Sequence, residues 1–298
     1  MGKKPLVSIL LQSYNHAGYI TECINSVYKQ TFTDYELIVF DDGSNDGSAS
    51  IIEELAIKYS FTYHQHKNMG LVNTIIKMLP LIKGKYFILL ASDDVLPENK
   101  LDIQINYMES NPDCHVSGGG ALIIDESGLN KSHQSYIINN SDQYDFVDIF
   151  SGRKTVCSPT LMIKTDLLDK LDIFHPDYKI EDLYMLLLIT SSGYTIHILK
   201  DVLCYYRIHS ENVHLNYSYI YQETMKIIDI YKDHDIYCKA KQHWSDWIFP
   251  YMAIYQKREA IKILPKIINY RKILKNFQIL KLFIPPIILK MIGGRNRK

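Results

Sequence analysis

The chain has 298 residues, 47% of them hydrophobic, enough to bury one large core with an appendage or two small cores. A formal net charge of zero excludes binding of nucleic acid by overall charge. Five cysteines, Cys23, Cys114, Cys157, Cys204 and Cys238, are odd in number and lack metal-ligand spacing, which fits reduced thiols rather than a disulfide framework.

Strand and helix patterns alternate from the start. Leu6 to Leu11 reads as a strand, Gly18 to Gln30 as a helix, Tyr35 to Phe40 as a strand, Gly47 to Tyr59 as a helix and Phe61 to Gln65 as a short strand. Leu71 to Leu81 is helical and Lys85 to Leu90 is a strand. Pro97 opens the next helix, at a first-turn position that tolerates proline. His115 to Ile124 is a further strand, with Gly118-Gly119-Gly120 permitting close backbone approach. Polar residues from Asp125 to Asp145 predict a long surface loop. Leu161 to Ile163 resumes strand character, Glu181 to Thr190 is a helix, and strands Thr195 to Leu199 and Val202 to Arg207 close the first domain. Beyond His214 the pattern is helical. This order predicts an α/β domain over residues 1–214, a mostly parallel sheet with helices on both faces, and a C-terminal helical region over 215–298.

Two of these strands end in acids. Glu36 to Phe40 runs into Asp41, Asp42, Gly43, Ser44, Asn45 and Asp46, and Tyr86 to Leu90 runs into Ala91, Ser92, Asp93 and Asp94. Open α/β sheets bind ligands at the carboxyl ends of their strands, so paired acids there predict an enzyme site. Hard cations such as Mg²⁺ and Mn²⁺ take one or two carboxylates together with phosphates and water, and Asp93-Asp94 supplies that minimal set. The alternative readings are an Asx turn feeding a helix over Asp41 to Asp46, and a helix cap at Asp93-Asp94 ahead of Pro97.

The segments Val7-Ser8-Ile9 to Ser13-Tyr14-Asn15, Gln30-Thr31-Phe32, Asp41 to Asp46, Asn68-Met69-Gly70, Ser92-Asp93-Asp94, Glu181-Asp182 and Tyr206-Arg207-Ile208-His209 occur in this order over roughly the first 210 residues. In them the chain resembles family 2 glycosyltransferases of the GT-A, Rossmann-like fold. That resemblance implies transfer of a sugar from a UDP-sugar to an acceptor hydroxyl, with Mn²⁺ or Mg²⁺ as cofactor. It implies Asp94 as metal ligand, Asp93 near the ribose and a metal-bound water, and Asp42 at the uracil ring with Asp41 on the same turn. Tyr14 would pack near the base beside Ser13, and Asn68 and Gly70 would belong to the nucleotide-side loop. Many relatives carry a further acid where this chain has Ala91.

The resemblance also implies Asp182 as general base, accepting the acceptor's proton during direct displacement and so inverting the anomeric centre. Arg207 would fold over the pyrophosphate and His209 would join the metal shell. The alternative at Asp182 is an acidic first turn stabilised by the helix dipole.

Between residues 257 and 298 twelve Lys or Arg stand against a single acid, Glu259, among Ile, Leu and Phe. This basic amphipathic tail predicts contact with an anionic membrane surface, or a helical cap or dimer interface. No apolar run is long enough to span a bilayer and Met1 to Pro5 leads straight into a strand, so the expected place is the cytoplasm, peripheral at the inner face of the membrane. The implied acceptor is a saccharide, linked to a polyprenyl diphosphate, in bacterial O-antigen or capsule synthesis. Two rivals remain: a sugar nucleotidyltransferase and a non-catalytic scaffold of the same fold. The first should carry a Gly-rich basic signature where Gln12-Ser13-Tyr14-Asn15 stands, and the second need not keep Asp93, Asp94 and Asp182.

Overall fold

The structure is a computed structural model that describes residues 3–129, 135–209 and 216–267. The expected boundary at residue 214 and the tail from 268 to 298 lie outside the described residues. In chain order, β1 (Val7–Ser13) leads to α1 (Ile20–Tyr28), β2 (Tyr35–Asp41) to α2 (Ser48–Tyr59), β3 (Thr62–Gln65) to α3 (Leu71–Met78) and β4 (Tyr86–Ala91) to α4 (Lys100–Ser110). Then come β5 (Val116–Ile124), β6 (Asp142–Tyr144), α5 (Phe146–Phe150), β7 (Met162–Lys164), α6 (Glu181–Ser191) and β8 (Ile196–Arg207). The helices α7 (Tyr217–Ile228), α8 (Tyr237–Tyr255) and α9 (Lys257–Ile267) complete the described chain.

The strands form one sheet in the order β3-β2-β1-β4-β7-β5-β8-β6. β1 pairs in parallel with β2 and β4, β2 with β3, and β5 with β8, while β7 and β6 run antiparallel to their neighbours. Because strand side chains alternate between faces, Val7, Ile9 and Leu11 join Leu37, Val39, Ile88 and Leu90 on one side. There they meet Ile20, Cys23, Ile24 and Val27 of α1, spaced as one helical stripe, together with residues of α2 and α4. Each large apolar side chain so buried contributes about 1.5–3 kcal/mol. α3 packs against β1 and β2, and its buried Val72, Ile75 and Met78 take no part in that cluster, so the helices cover both faces. Gly84 lies just before β4; a Cβ there would sit 2.6 Å from the Ser8 amide nitrogen, so only glycine lets the crossover reach β1 this closely.

Three expectations are corrected. The stretch Asp125 to Asp145 is not wholly loop, since Tyr136 bridges to Ala121 and Asp142–Tyr144 pairs with Ile196–Ile198 as the edge strand β6. An edge strand with exposed polar residues carries little hydrophobic pattern. The two strands expected between Thr195 and Arg207 are one, β8, and its exposed Lys200 accompanies a slip in the β5–β8 register between Gly118 and Ala121. Pro97 does not open α4, which starts at Lys100. The Pro97 carbonyl instead accepts from the Lys100 amide and from Gln30 Nε2.

Contacts divide the described residues into two compact units, one within Met1–Phe146 and Thr155–His209, the other within Val147–Lys154 and Ser210–Lys298. In the second, Tyr217 stacks on Tyr251 and Tyr255, and Trp244 Nε1 donates to the Phe150 carbonyl at 3.0 Å. Among the described residues no helix is long and apolar enough to cross a membrane.

Candidate active site

The carboxyl ends of β1, β2 and β4 are brought level by their register, in which Ser13 pairs with Asp41 and Gln12 with Ala91. Asp41, fully buried, accepts from the Ser44 amide at 2.9 Å and the Ser44 hydroxyl at 2.6 Å. It shapes the turn, as the Asx reading foresaw. Asp42 accepts from the amides of Met69 at 2.7 Å and Gly70 at 2.9 Å, fastening the Asn68–Gly70 loop beneath it. The buried His66 imidazole also lies against it, Nδ1 3.4 Å from Asp42 Oδ1. Gly43, at φ 76°, lets this turn pass the Asn68 amide, which a Cβ would approach to 2.7 Å. Tyr14 is 47% exposed beside the buried Ser13, whose hydroxyl has no hydrogen-bond partner among the described residues, and Asn68 is exposed.

On the β4 side, Asp93, His209 and His16 converge, their ligand atoms all within 4.8 Å of one another. His209 Nε2 lies 3.1 Å from Asp93 Oδ2, and His16 Nδ1 lies 2.7 Å from Ser92 Oγ. Burial holds the His16 imidazole below its usual pKa against the opposing pull of Asp93, keeping it neutral and able to ligate. Asp94 is 1% exposed; its Oδ1 accepts from the Arg207 amide at 2.9 Å, and its buried Oδ2 has no partner among the described residues. Burial first, then the charge of Asp93, pushes the Asp94 carboxyl well above the ordinary carboxylate range. Asp94 therefore does not cap α4, and an orphaned carboxylate oxygen beside the charge of Asp93 fits a divalent cation. Sequence reasoning passed over His16. Its signal was a ligating side chain at the carboxyl end of the first strand, directly after Tyr14-Asn15.

Arg207, expected over a pyrophosphate, is 1% exposed, with every guanidinium nitrogen donating to protein oxygen. Nε reaches the Asp93 carbonyl at 2.8 Å, Nη1 the Asp125 carbonyl at 2.9 Å and Nη2 the Glu22 carboxylate at 2.6 Å. It latches the acid turn from behind, and Glu22 was not foreseen as its counter-charge.

Asp182 stands in the first turn of α6, its Oδ2 accepting from Ser158 Oγ at 2.9 Å and its Oδ1 from the Leu183 amide at 2.7 Å. Burial, with the charge of Asp182, pushes neighbouring Glu181 up to about 8. Cys157 lies within electrostatic reach of both Asp94 and Asp182, so the two acid sites share one neighbourhood.

The family model for glycosyl transferase family 2 matches residues 8–171. The chain belongs to this family. An uncharacterised glycosyltransferase of Rickettsia prowazekii is 34% identical over 69% of the chain, which spans only 65% of that relative's length. A Bacillus subtilis protein named as a putative teichuronic acid biosynthesis glycosyltransferase, TuaG, is 27% identical over 72% of the chain and 83% of its own. Among solved structures, S. aureus TarS in complex with UDP-GlcNAc superposes with a TM-score of 0.65 at 19% identity, covering 89% of this chain and 77% of that one. The fold of this family 2 member is thus GT-A, a mostly parallel sheet with a C-terminal helical region.

Lys100 of this family 2 member is fully buried and donates from Nζ to the Thr160 carbonyl at 2.8 Å. Burial lowers it to about 8, against the opposing pull of Cys204, Cys157 and Asp94. Below that pH both folded and unfolded chains carry the charge, and the folded state bears the full penalty, about 3 kcal/mol for a shift from ~10.4. As pH climbs from 8 towards 10.4 the folded lysine sheds its proton first and the penalty fades. Wild type should therefore gain up to about 3 kcal/mol relative to Lys100→Met between pH 8 and 10.4. Urea midpoints of the two proteins across that range check it, and parallel curves would refute it.

Proposed function

We propose that the protein is an inverting, metal-dependent glycosyltransferase that moves a sugar from a UDP-sugar to a hydroxyl of a polyprenyl-diphosphate-linked saccharide in bacterial surface polysaccharide synthesis. The observation that carries this reading is the His16, Asp93 and His209 cluster, in the same compact unit as Asp42, Asp94 and Asp182. TarS with its UDP-GlcNAc supports the donor class, and TuaG supports a cell-surface polymer as destination. We place the chemistry in a domain over residues 1–214, with 215–298 as a helical region whose basic tail holds the enzyme on the anionic inner face of the membrane.

In this reading Asp42 and the Asn68–Gly70 loop hold the base, with Tyr14 against its face, and Asp41 keeps the turn in shape. Asp93, Asp94, His16 and His209 would hold Mn²⁺ or Mg²⁺, which neutralises charge on the departing diphosphate. Asp182 takes the proton of the acceptor hydroxyl as its oxygen bonds to the anomeric carbon. The bond from that carbon to the phosphate oxygen breaks, and UDP leaves with the electron pair. Attack opposite the leaving group inverts the centre, so an α-linked donor yields a β-linked product.

The test is UDP or GDP release from a panel of UDP-sugars and GDP-mannose, with Mn²⁺, Mg²⁺ or EDTA, with and without synthetic lipid-diphosphate GlcNAc or GalNAc. Metal-dependent, acceptor-stimulated release from one UDP-sugar supports the proposal. Release from GDP-mannose alone overturns the donor assignment. Folded protein that fails to bind UDP with metal overturns the site.

A further inference from the structure

Asp182 is held by a turn that the chemistry above leaves unexplained. Ser158, Pro159 and Thr160 form a single 3-10 turn, and Ser158 points its hydroxyl at Asp182 Oδ2, 2.9 Å away. The other end of the turn is clamped in the interior. Thr160 is fully buried, and its carbonyl receives Lys100 Nζ at 2.8 Å and Gln104 Nε2 at 3.0 Å. Its hydroxyl donates to the Cys157 carbonyl at 2.6 Å and accepts from the Gly119 amide at 3.1 Å. Lys100 and Gln104 lie one turn apart on α4 and are both completely buried.

Burying an ammonium group to bond one carbonyl is costly, and an apolar side chain would fill the same space without that cost. What the lysine does supply is a fixed place for Thr160, and through the short turn a fixed place for Ser158. We propose that Ser158 is a positioning residue for the base Asp182, and that Lys100 and Gln104 set it by clamping the Thr160 carbonyl from behind. The inference rests on Asp182 being the base.

A hydrogen bond to the charged form of a carboxylate favours that form, so removing it makes the base harder to keep ionised. In Ser158→Ala the acidic limb of the kcat–pH profile should move up by about one pH unit, with KM for the donor unchanged. Ser158→Thr keeps a hydroxyl and should restore the limb. The profile is read with the panel donor and acceptor that give turnover, beside Asp182→Asn.

An unmoved limb in Ser158→Ala, with Asp182→Asn inactive, overturns the positioning role alone. Wild-type turnover in Asp182→Asn, or silence across the panel, overturns the base assignment and this inference with it. The clamp is read without substrate, by hydrogen exchange at the Thr160 and Leu161 amides, which bond within the turn to Cys157 and Ser158. Exchange there should speed at least tenfold in Lys100→Met, as expected for loss of a buried charged hydrogen bond. Unchanged exchange overturns the clamp.

Discussion

Asp182→Asn should lower kcat about a thousandfold, within the range a positioned general base supplies, and leave UDP binding intact. The amide is nearly isosteric and can still accept from Ser158, so the turn and α6 keep their places. What it lacks is a carboxylate to take the acceptor's proton. Burial and its neighbour's charge raise the pKa of Glu181, which disfavours the ionised form a substitute base would need. UDP release measures the loss, and calorimetry with UDP and Mn²⁺ shows whether binding survives. Turnover equal to wild type would remove Asp182 from the mechanism.

Chelation should abolish turnover, and Asp94→Asn should reproduce most of that loss, again about a thousandfold, since a cation at a departing phosphate contributes several kcal/mol. Asp94 Oδ2 is buried with no hydrogen-bond partner among the described residues, and the imidazoles of His16 and His209 lie near Asp93. His16 and His209 would offer a cation two nitrogens beside the Asp93 carboxylate. His16→Ala should weaken Mn²⁺ binding by about ten- to a hundredfold, read by the loss of the free-ion paramagnetic resonance signal in the presence of UDP. Binding as tight as wild type would remove His16 from the shell, and EDTA-resistant turnover would remove the cation from the reaction.

β2 and β4 were legible because each is a continuous buried run that ends in acids, a pattern local to half a dozen residues. α1 was legible because Ile20, Cys23, Ile24 and Val27 fall on one helical stripe. β6 was not, since an edge strand of three residues needs little apolar character. At the site, the residues of the acid turns could be read, but not which partners their atoms would find. Arg207 has the charge for a phosphate, yet its nitrogens are spent on Glu22, Asp93 and Asp125, residues 82 to 185 positions away in sequence. Ser158 likewise meets Asp182 only because the sheet and α4 fix where the intervening chain turns. Such pairings are decided by tertiary packing, and no local spacing encodes them.

The Arg207 latch carries a consequence for how the enzyme comes into being. Asp93 and Asp94 emerge from the ribosome more than a hundred residues before the side chain and amide that fix them. A nascent chain that has already laid down its first four strands holds two crowded carboxylates without the Arg207 contacts. The turn that carries the two acids is therefore fastened to Arg207 only once β8, the last strand in chain order, has been made.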